Sequence, residues 1–380
     1  MNAKQDIINV FGSNLLTFAK RSYKGALVFK EMMRGADLAS EKMPIRLQIE
    51  VTEKCNHDCI MCNRRTRKHI GHTLKNDINY DVFEKLVKKI NPFYITLNGL
   101  GEPLLNNEID QIVTLCRQKM ITSAMPCNLS VPKVLNSKIV KRPPDIITFS
   151  IHGASKEVFE SISINSDYEK CIATMRRFFD LVDRKKTAIK ILCALQAKNL
   201  FEYKKMYKFL RDFSLLDDFN LVPVYDYGDT DYHLIIPSEY EKKKAIKQIN
   251  KDISMCHNET ELHFYRKWKN VINEIKRNDI NKCGKVKAPC LIPWFSTYIT
   301  ATGNVLPCCY LTDENDESVM GNIYDSSFDV IWNGDKYKKF RTQLREDREN
   351  LSGCNYCVRD DSSRIKKYGF FFRRKMLWRL

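Results

Sequence analysis

"VTEKCNHDCIMCNRR", residues 51–65, sets Cys55, Cys59 and Cys62 within eight positions. Three thiols is an incomplete set. A structural zinc site takes four ligands, and a saturated iron–sulfur cluster also takes four. His57 lies inside the loop and His69 beyond it, and neither stands at a spacing that completes a zinc site. Thiolates are soft ligands that suit zinc or iron–sulfur clusters. Three of them on one tight loop can hold three irons of a [4Fe–4S] cluster and leave the fourth iron to an outside ligand; zinc stays open as the alternative.

The loop follows a β-type run, "IRLQIEVT" (45–52), and the chain then alternates strand and helix patterns. "FYITLNG", "TSAMPCN", "DIITFSIHG", "AIKILCAL" and "FNLVPVYD" read as five more strands. "DVFEKLVKKI", "EIDQIVTLCRQKM", "VPKVLNSKIV", "YEKCIATMRRFFDLVD" and "FEYKKMYKFLRDF" lie between them, most with the three-and-four apolar spacing of amphipathic helices. Six such units in series predict an α/β fold with a parallel sheet and right-handed crossovers, a partial (β/α)6 TIM-like barrel. The distinctive side chains fall at the C-terminal ends of the strands: the cysteine loop, "NGLGEP" (98–103), Asn128, "SIHG" (150–153), Gln196 with Asn199, and Tyr225 with Tyr227. That rim is where β/α barrels place their chemistry.

Composition narrows the class. The chain has 380 residues, 43% hydrophobic and 29% charged, an ordinary globular balance. No apolar run approaches a membrane span or a secretory signal, so a cytoplasmic location is expected. Fourteen cysteines then argue for metal or redox chemistry over a disulfide framework. Cys116, Cys127, Cys171, Cys193, Cys256 and Cys283 are scattered and read as small buried apolar residues. The net charge of +17 is uneven: residues 1–44 carry +3 and residues 362–380 carry +7.

Cys55-x3-Cys59-x2-Cys62 directly after the first strand resembles the signature of radical S-adenosylmethionine (SAM) enzymes. The resemblance implies that SAM chelates the open iron and is reductively cleaved to a 5′-deoxyadenosyl radical. Gly101-Glu102-Pro103 resembles the family's Gly-Gly-Glu segment, which engages the cofactor's ammonium. Asn128 resembles the asparagine closing strand three, and Ser150 the polar residue that contacts ribose or carboxylate. Two positions depart. Met61 stands where an aromatic platform for adenine is usual, and His152 where Ser-x-Asp-Gly has its aspartate, which leaves its role between a tolerated substitution and a substrate or supporting group. An electron donor of flavodoxin or ferredoxin type is implied as a partner.

A second cysteine group, "CLIPWFSTYITATGNVLPCCY" with "GCNYC", resembles the auxiliary-cluster extension called SPASM in its shortened, one-cluster form. The resemblance implies one auxiliary [4Fe–4S] cluster held by Cys290, Cys308, Cys354 and Cys357; a zinc ribbon is the alternative. Cys309 is left as a spare thiol, an alternate ligand or buried filler.

The expected organisation is a basic amphipathic segment (1–44), the barrel (45–228), a helical connector (229–285), a separate small auxiliary domain (286–360) and a basic aromatic tail (361–380). The two ends read either as packing on the barrel or as an anchor on an anionic membrane through residues 362–380; nucleic acid is the less favoured partner. Only 44 residues precede the first strand, which leaves no room there for a leader-binding domain. The expected activity is hydrogen abstraction from an unactivated C–H of a peptide, an anionic, amphiphilic or lipid-linked molecule, or a sugar. The competing classes are a non-catalytic iron–sulfur electron carrier and a zinc or RNA-binding protein.

Overall fold

The computed structural model describes residues 43–65, 73–224, 232–275 and 290–357, except positions 137, 291, 312, 313, 315, 316 and 356. Both terminal segments, His69, Tyr225, Tyr227 and Cys283 lie outside the described residues.

Six parallel strands form the barrel wall: β1 (Arg46–Ile49), β2 (Tyr94–Leu97), β3 (Thr122–Cys127), β4 (Ile146–Ser150), β5 (Ala188–Leu195) and β6 (Phe219–Pro223). Between and after them run α1 (Tyr80–Ile90), α2 (Ile109–Gln118), α3 (Lys156–Ile162), α4 (Tyr168–Leu181) and α5 (Tyr203–Asp212). The partial barrel is therefore as the sequence predicts. Helix α1 shows how locally it is specified. Asn79 caps it by accepting from Val82 N at 2.9 Å, Lys88 and Lys89 close it, and Phe83, Leu86, Val87 and Ile90 are buried.

The auxiliary region departs from expectation. β7 (Ser296–Ile299), β8 (Asn304–Leu306) and β9 (Gly321–Asn322) continue the same sheet, whose order is β6-β5-β4-β3-β2-β1-β7-β8-β9. β7 runs parallel to β1 in the register Arg46 to Ser296 and Ile49 to Ile299. The small domain is thus not free-standing. It satisfies the backbone groups that β1 would otherwise present as an open edge. Its own core is built by α8 (Phe328–Asn333) and α9 (Asp335–Glu346). There the buried Arg341 lies over the rings of Trp332 and Tyr337 at 4.2 and 4.0 Å. It also donates to Pro293 O and Trp332 O, both at 2.9 Å. The connector contributes α6 (Glu239–Met255) and α7 (Glu259–Glu274), which carry Trp268 onto Phe219 of β6.

The sheet has two different faces. Leu47, Ile49, Ile95, Leu97, Ile189, Ile191, Cys193 and Leu195 point outward into one hydrophobic core shared with the helices. The alternate positions point inward and stay half-buried, giving the burial alternation of β1, β2 and β5. A parallel sheet covered on both faces would be apolar throughout. The inner face is therefore less fully covered than the outer one.

Candidate active site

The cysteine loop leaves β1 where the strand stops pairing. Ile78 N donates to Val51 O at 3.1 Å, and Thr52 Oγ1 and Lys54 Nζ both bind the Asp77 carboxylate at 2.5 Å. Asp58 N and Ile60 N donate to Ile164 O and Ile162 O at 2.9 and 3.0 Å, so the turn after α3 holds the loop from the far side. Cys62 N closes a turn onto Cys59 O at 3.0 Å. A rigid backbone therefore presents the three thiols together.

The thiols sense one another. Burial, followed by the neighbouring cysteines, pushes Cys59 up to about 12. Burial pushes Cys55 to about 11, and Glu102 and Cys62 add to the rise; burial also raises Cys62. Arg64, itself buried, opposes this at Cys55 and Cys62. Among the described residues no group of three or more His, Cys, Asp or Glu is arranged to hold a metal ion. Three buried thiols on a fixed loop suit a cationic cluster that displaces their protons.

The other sequence-predicted residues gather beside this loop. Gly101 fits only as glycine, because a Cβ there would collide with Thr52 O and stand 2.8 Å from Lys54 O. Glu102 N donates to Lys54 O at 2.8 Å, which seats the Gly-Glu-Pro turn against the residue before Cys55. The Glu102 carboxylate is buried and accepts from Leu104 N at 3.1 Å and Asn128 N at 2.7 Å. Burial pushes it up to about 7. It braces the ends of β2 and β3 and offers a ligand only its remaining lone pairs. Asn128 links that brace to the loop, donating to Asn56 Oδ1 at 2.8 Å, with Cys55 Sγ at 4.0 Å. Met61 packs half-buried against the core, and Ser150 is half-buried on the inner face of β4. His152 is buried, and its Nδ1 accepts from Ala194 N at 3.2 Å, which leaves the proton on Nε2. Gln196 and Asn199 are both fully buried at the end of β5, where Asn199 Nδ2 donates to His152 O at 2.7 Å.

Several supporting contacts were not read from sequence. His57 Nε2 is hydrogen-bonded to Ser130 Oγ, which lies 3.0 Å from Cys171 Sγ on α4. Glu50 is fully buried. Its carboxylate accepts from Leu100 N at 2.5 Å and Ala301 N at 3.1 Å, fastening the β2 loop and the β7–β8 turn to β1. A carboxylate in the apolar run "LQIEV" was the signal that could have revealed it.

The second cysteine group is assembled from distant segments. Burial, with Cys309 and Cys354 adding, raises Cys308 well above the ordinary thiol range. Burial and Cys357 push Cys354 up to about 12. Cys357 N turns back to Cys354 O at 3.3 Å. Cys308 and Cys309 share a cleft with Arg46, Gln48 and Tyr298. This site therefore borders the N-terminal half of β1, while Cys55 follows its C-terminal end. Residues 46 to 50 alone separate the two levels by about 13 Å.

Comparison with known proteins agrees with this geometry. Residues 290–358 match the SPASM family model, an iron–sulfur cluster-binding domain. An S-adenosyl-L-methionine-dependent 2-deoxy-scyllo-inosamine dehydrogenase of Niallia circulans is 36% identical over 81 residues, 21% of this chain and 32% of that protein. A probable GTP 3′,8-cyclase of Thermococcus kodakarensis is 28% identical over 120 residues, 31% of this chain and 38% of that protein. The matches span about a third of the length of these curated relatives. Among solved structures, Streptococcus suis SuiB bound to S-adenosylmethionine superposes with TM-score 0.56 at 14% identity, covering 83% of this chain and 72% of that one. Native anSMEcpe with bound AdoMet gives 0.55 at 16% identity, covering 83% of this chain and 88% of that one. The fold is the partial barrel these solved structures share, and residues 290–358 carry a SPASM-type iron–sulfur cluster-binding domain.

Proposed function

We propose that the chain is a radical SAM enzyme that abstracts hydrogen from an unactivated C–H of a substrate held in the barrel lumen. The observation that carries this reading is the convergence of three loop thiols with the Gly101–Glu102 turn, Asn128 and Ser150 at one rim, above a polar lumen. Cys55, Cys59 and Cys62 would hold a [4Fe–4S] cluster, which supplies the electron for cleaving S-adenosylmethionine when both are bound. Gly101 admits the close backbone approach, and Glu102 presents negative charge toward an ammonium. Ser150 offers a hydroxyl, and Met61 an apolar surface for a ring. At the second site Cys290, Cys308, Cys354 and Cys357 would complete a cluster with no open iron, which suits electron transfer or structural support.

SuiB and anSMEcpe have been solved with peptides, and the Niallia relative is named for a small cyclitol-type amine. The half-exposed, hydroxyl- and amide-bearing inner face favours a polar substrate over a lipid. A flavodoxin- or ferredoxin-type donor is the expected source of electrons. Among the described residues no helix is long and apolar enough to cross a membrane. The test is anaerobic reconstitution, reduction and addition of S-adenosylmethionine. About eight irons per chain and release of 5′-deoxyadenosine are expected. Zinc at the loop, or no deoxyadenosine, discards the reading.

A further inference from the structure

The inner face of the sheet carries polar groups that the cofactor site does not use. On β5 the inward positions are Ala188, Lys190, Leu192 and Ala194, all half-buried. Register places Lys190 beside Thr148 of β4, and Leu192 beside both Ser150 and Asn220. Across the lumen, Thr96 Oγ1 and Asn98 Oδ1 of the β2 inner face are wholly covered yet have no hydrogen-bond partner. Covered polar atoms nearly always have one, so these two mark where a bound group completes the wall.

Among the described residues no carboxylate pairs with Lys190. Of the acidic residues on these inward positions and strand ends, Glu50 already holds Leu100 N and Ala301 N, and Glu102 holds Leu104 N and Asn128 N. A lysine at a half-buried position with no carboxylate partner among the described residues is a good anion anchor, because partial burial reduces screening. Thr148 precedes Ser150 by two residues, so Lys190 lies about 7 Å below the level of Ser150. That separation matches a small molecule with its charged end at Lys190 and its reacting carbon at the cofactor level.

We infer, building on the radical reading above, that Lys190 anchors the anionic end of a small hydroxylated substrate, a phosphate ester or a carboxylate. Thr96 and Asn98 receive its hydroxyl groups. The function would then be radical modification of a small polar anion.

The reconstituted full chain tests this by calorimetric titration with glycerol 3-phosphate, D-glycerate, inorganic phosphate and a hexaglutamate peptide. Glycerol 3-phosphate or glycerate should bind the wild type and Lys190→Arg. Lys190→Gln should bind at least tenfold more weakly, with a difference that shrinks as salt rises. Matching thermal midpoints show that the variants are folded. Equal binding by Lys190→Gln overturns the inference. So does binding of hexaglutamate alone (an acidic peptide site), of inorganic phosphate alone (an adventitious ion only), or of nothing by the wild type. Deoxyadenosine release separates the two readings. Its absence in the wild type sinks the proposed function, whereas its presence together with an overturned titration sinks only the assignment of Lys190.

Discussion

The two cysteine sites are built in opposite ways. At the first, three thiols come from eight consecutive positions, and the backbone holding them is tied to the turn after α3 and to Asp77. At the second, the four expected ligands come from positions 290, 308, 354 and 357, of which Cys308, Cys354 and Cys357 sense one another, in a region that pairs β7 with β1 and packs α8 on α9. A local loop can leave a corner open without losing its shape. A set drawn from distant segments needs all its members, since each one also closes a long stretch of chain. Under the proposed function, the difference suits chemistry at the first site and saturation at the second.

The largest expected contrast is between Cys59→Ser and Cys354→Ser. Cys59→Ser should lower iron from about eight to about four per chain and reduce deoxyadenosine release by at least a hundredfold, with little change in thermal midpoint. Cys354→Ser should also cost about four irons yet keep deoxyadenosine release within a few-fold, while lowering the midpoint of unfolding. Iron assay, product analysis and thermal melts read both variants. If both behaved alike in all three, the contrast between the sites would be lost.

A smaller effect probes the joint between the sites. Glu50→Ala leaves the N–H groups of Leu100 and Ala301 without their carboxylate and should destabilise by about 2–4 kcal/mol in a denaturant titration. Glu50→Gln, which keeps one acceptor oxygen, should cost less. An unchanged midpoint in Glu50→Ala would mean that the two sites are not mechanically joined there.

The smallest effect concerns His152. Burial lowers it from 6.5 to about 4, so its neutral form stabilises the fold above pH 6.5. That contribution is lost as the pH falls from 6.5 toward 4, because the unfolded chain takes up the proton first. It amounts to at most about 3 kcal/mol. His152→Gln should flatten the stability curve relative to wild type in that window, measured as the difference between the two at each pH. Parallel curves would remove His152 from the account.

Legibility followed locality. β5 reads residue for residue from "AIKILCAL", since alternation over eight positions has no competing period. The run 45–52 reads too long: β1 stops at Ile49, and Val51 and Thr52 pair instead with the loop at 77 and 78. Helix α3 was not anticipated, because "KEVFESI" is too short for a clear helical period. The gathering of Gly101, Glu102 and Asn128 at the cysteine loop was foreseen from strand order. That Glu102 spends its oxygens on Leu104 N and Asn128 N was not, since a sequence does not show which lone pairs are taken.

By itself the sequence determined the barrel class and the incomplete thiol set, because alternation, helical spacing and cysteine intervals are properties of neighbouring residues. It also marked out the second cysteine group. Only the tertiary structure decided that this group extends the barrel's own sheet, that Glu50 fastens the two parts, and that Lys190 faces the lumen beside Thr148. Those relations depend on which edges pair and in what register, and backbone pairing across 250 residues leaves no local trace in the chain.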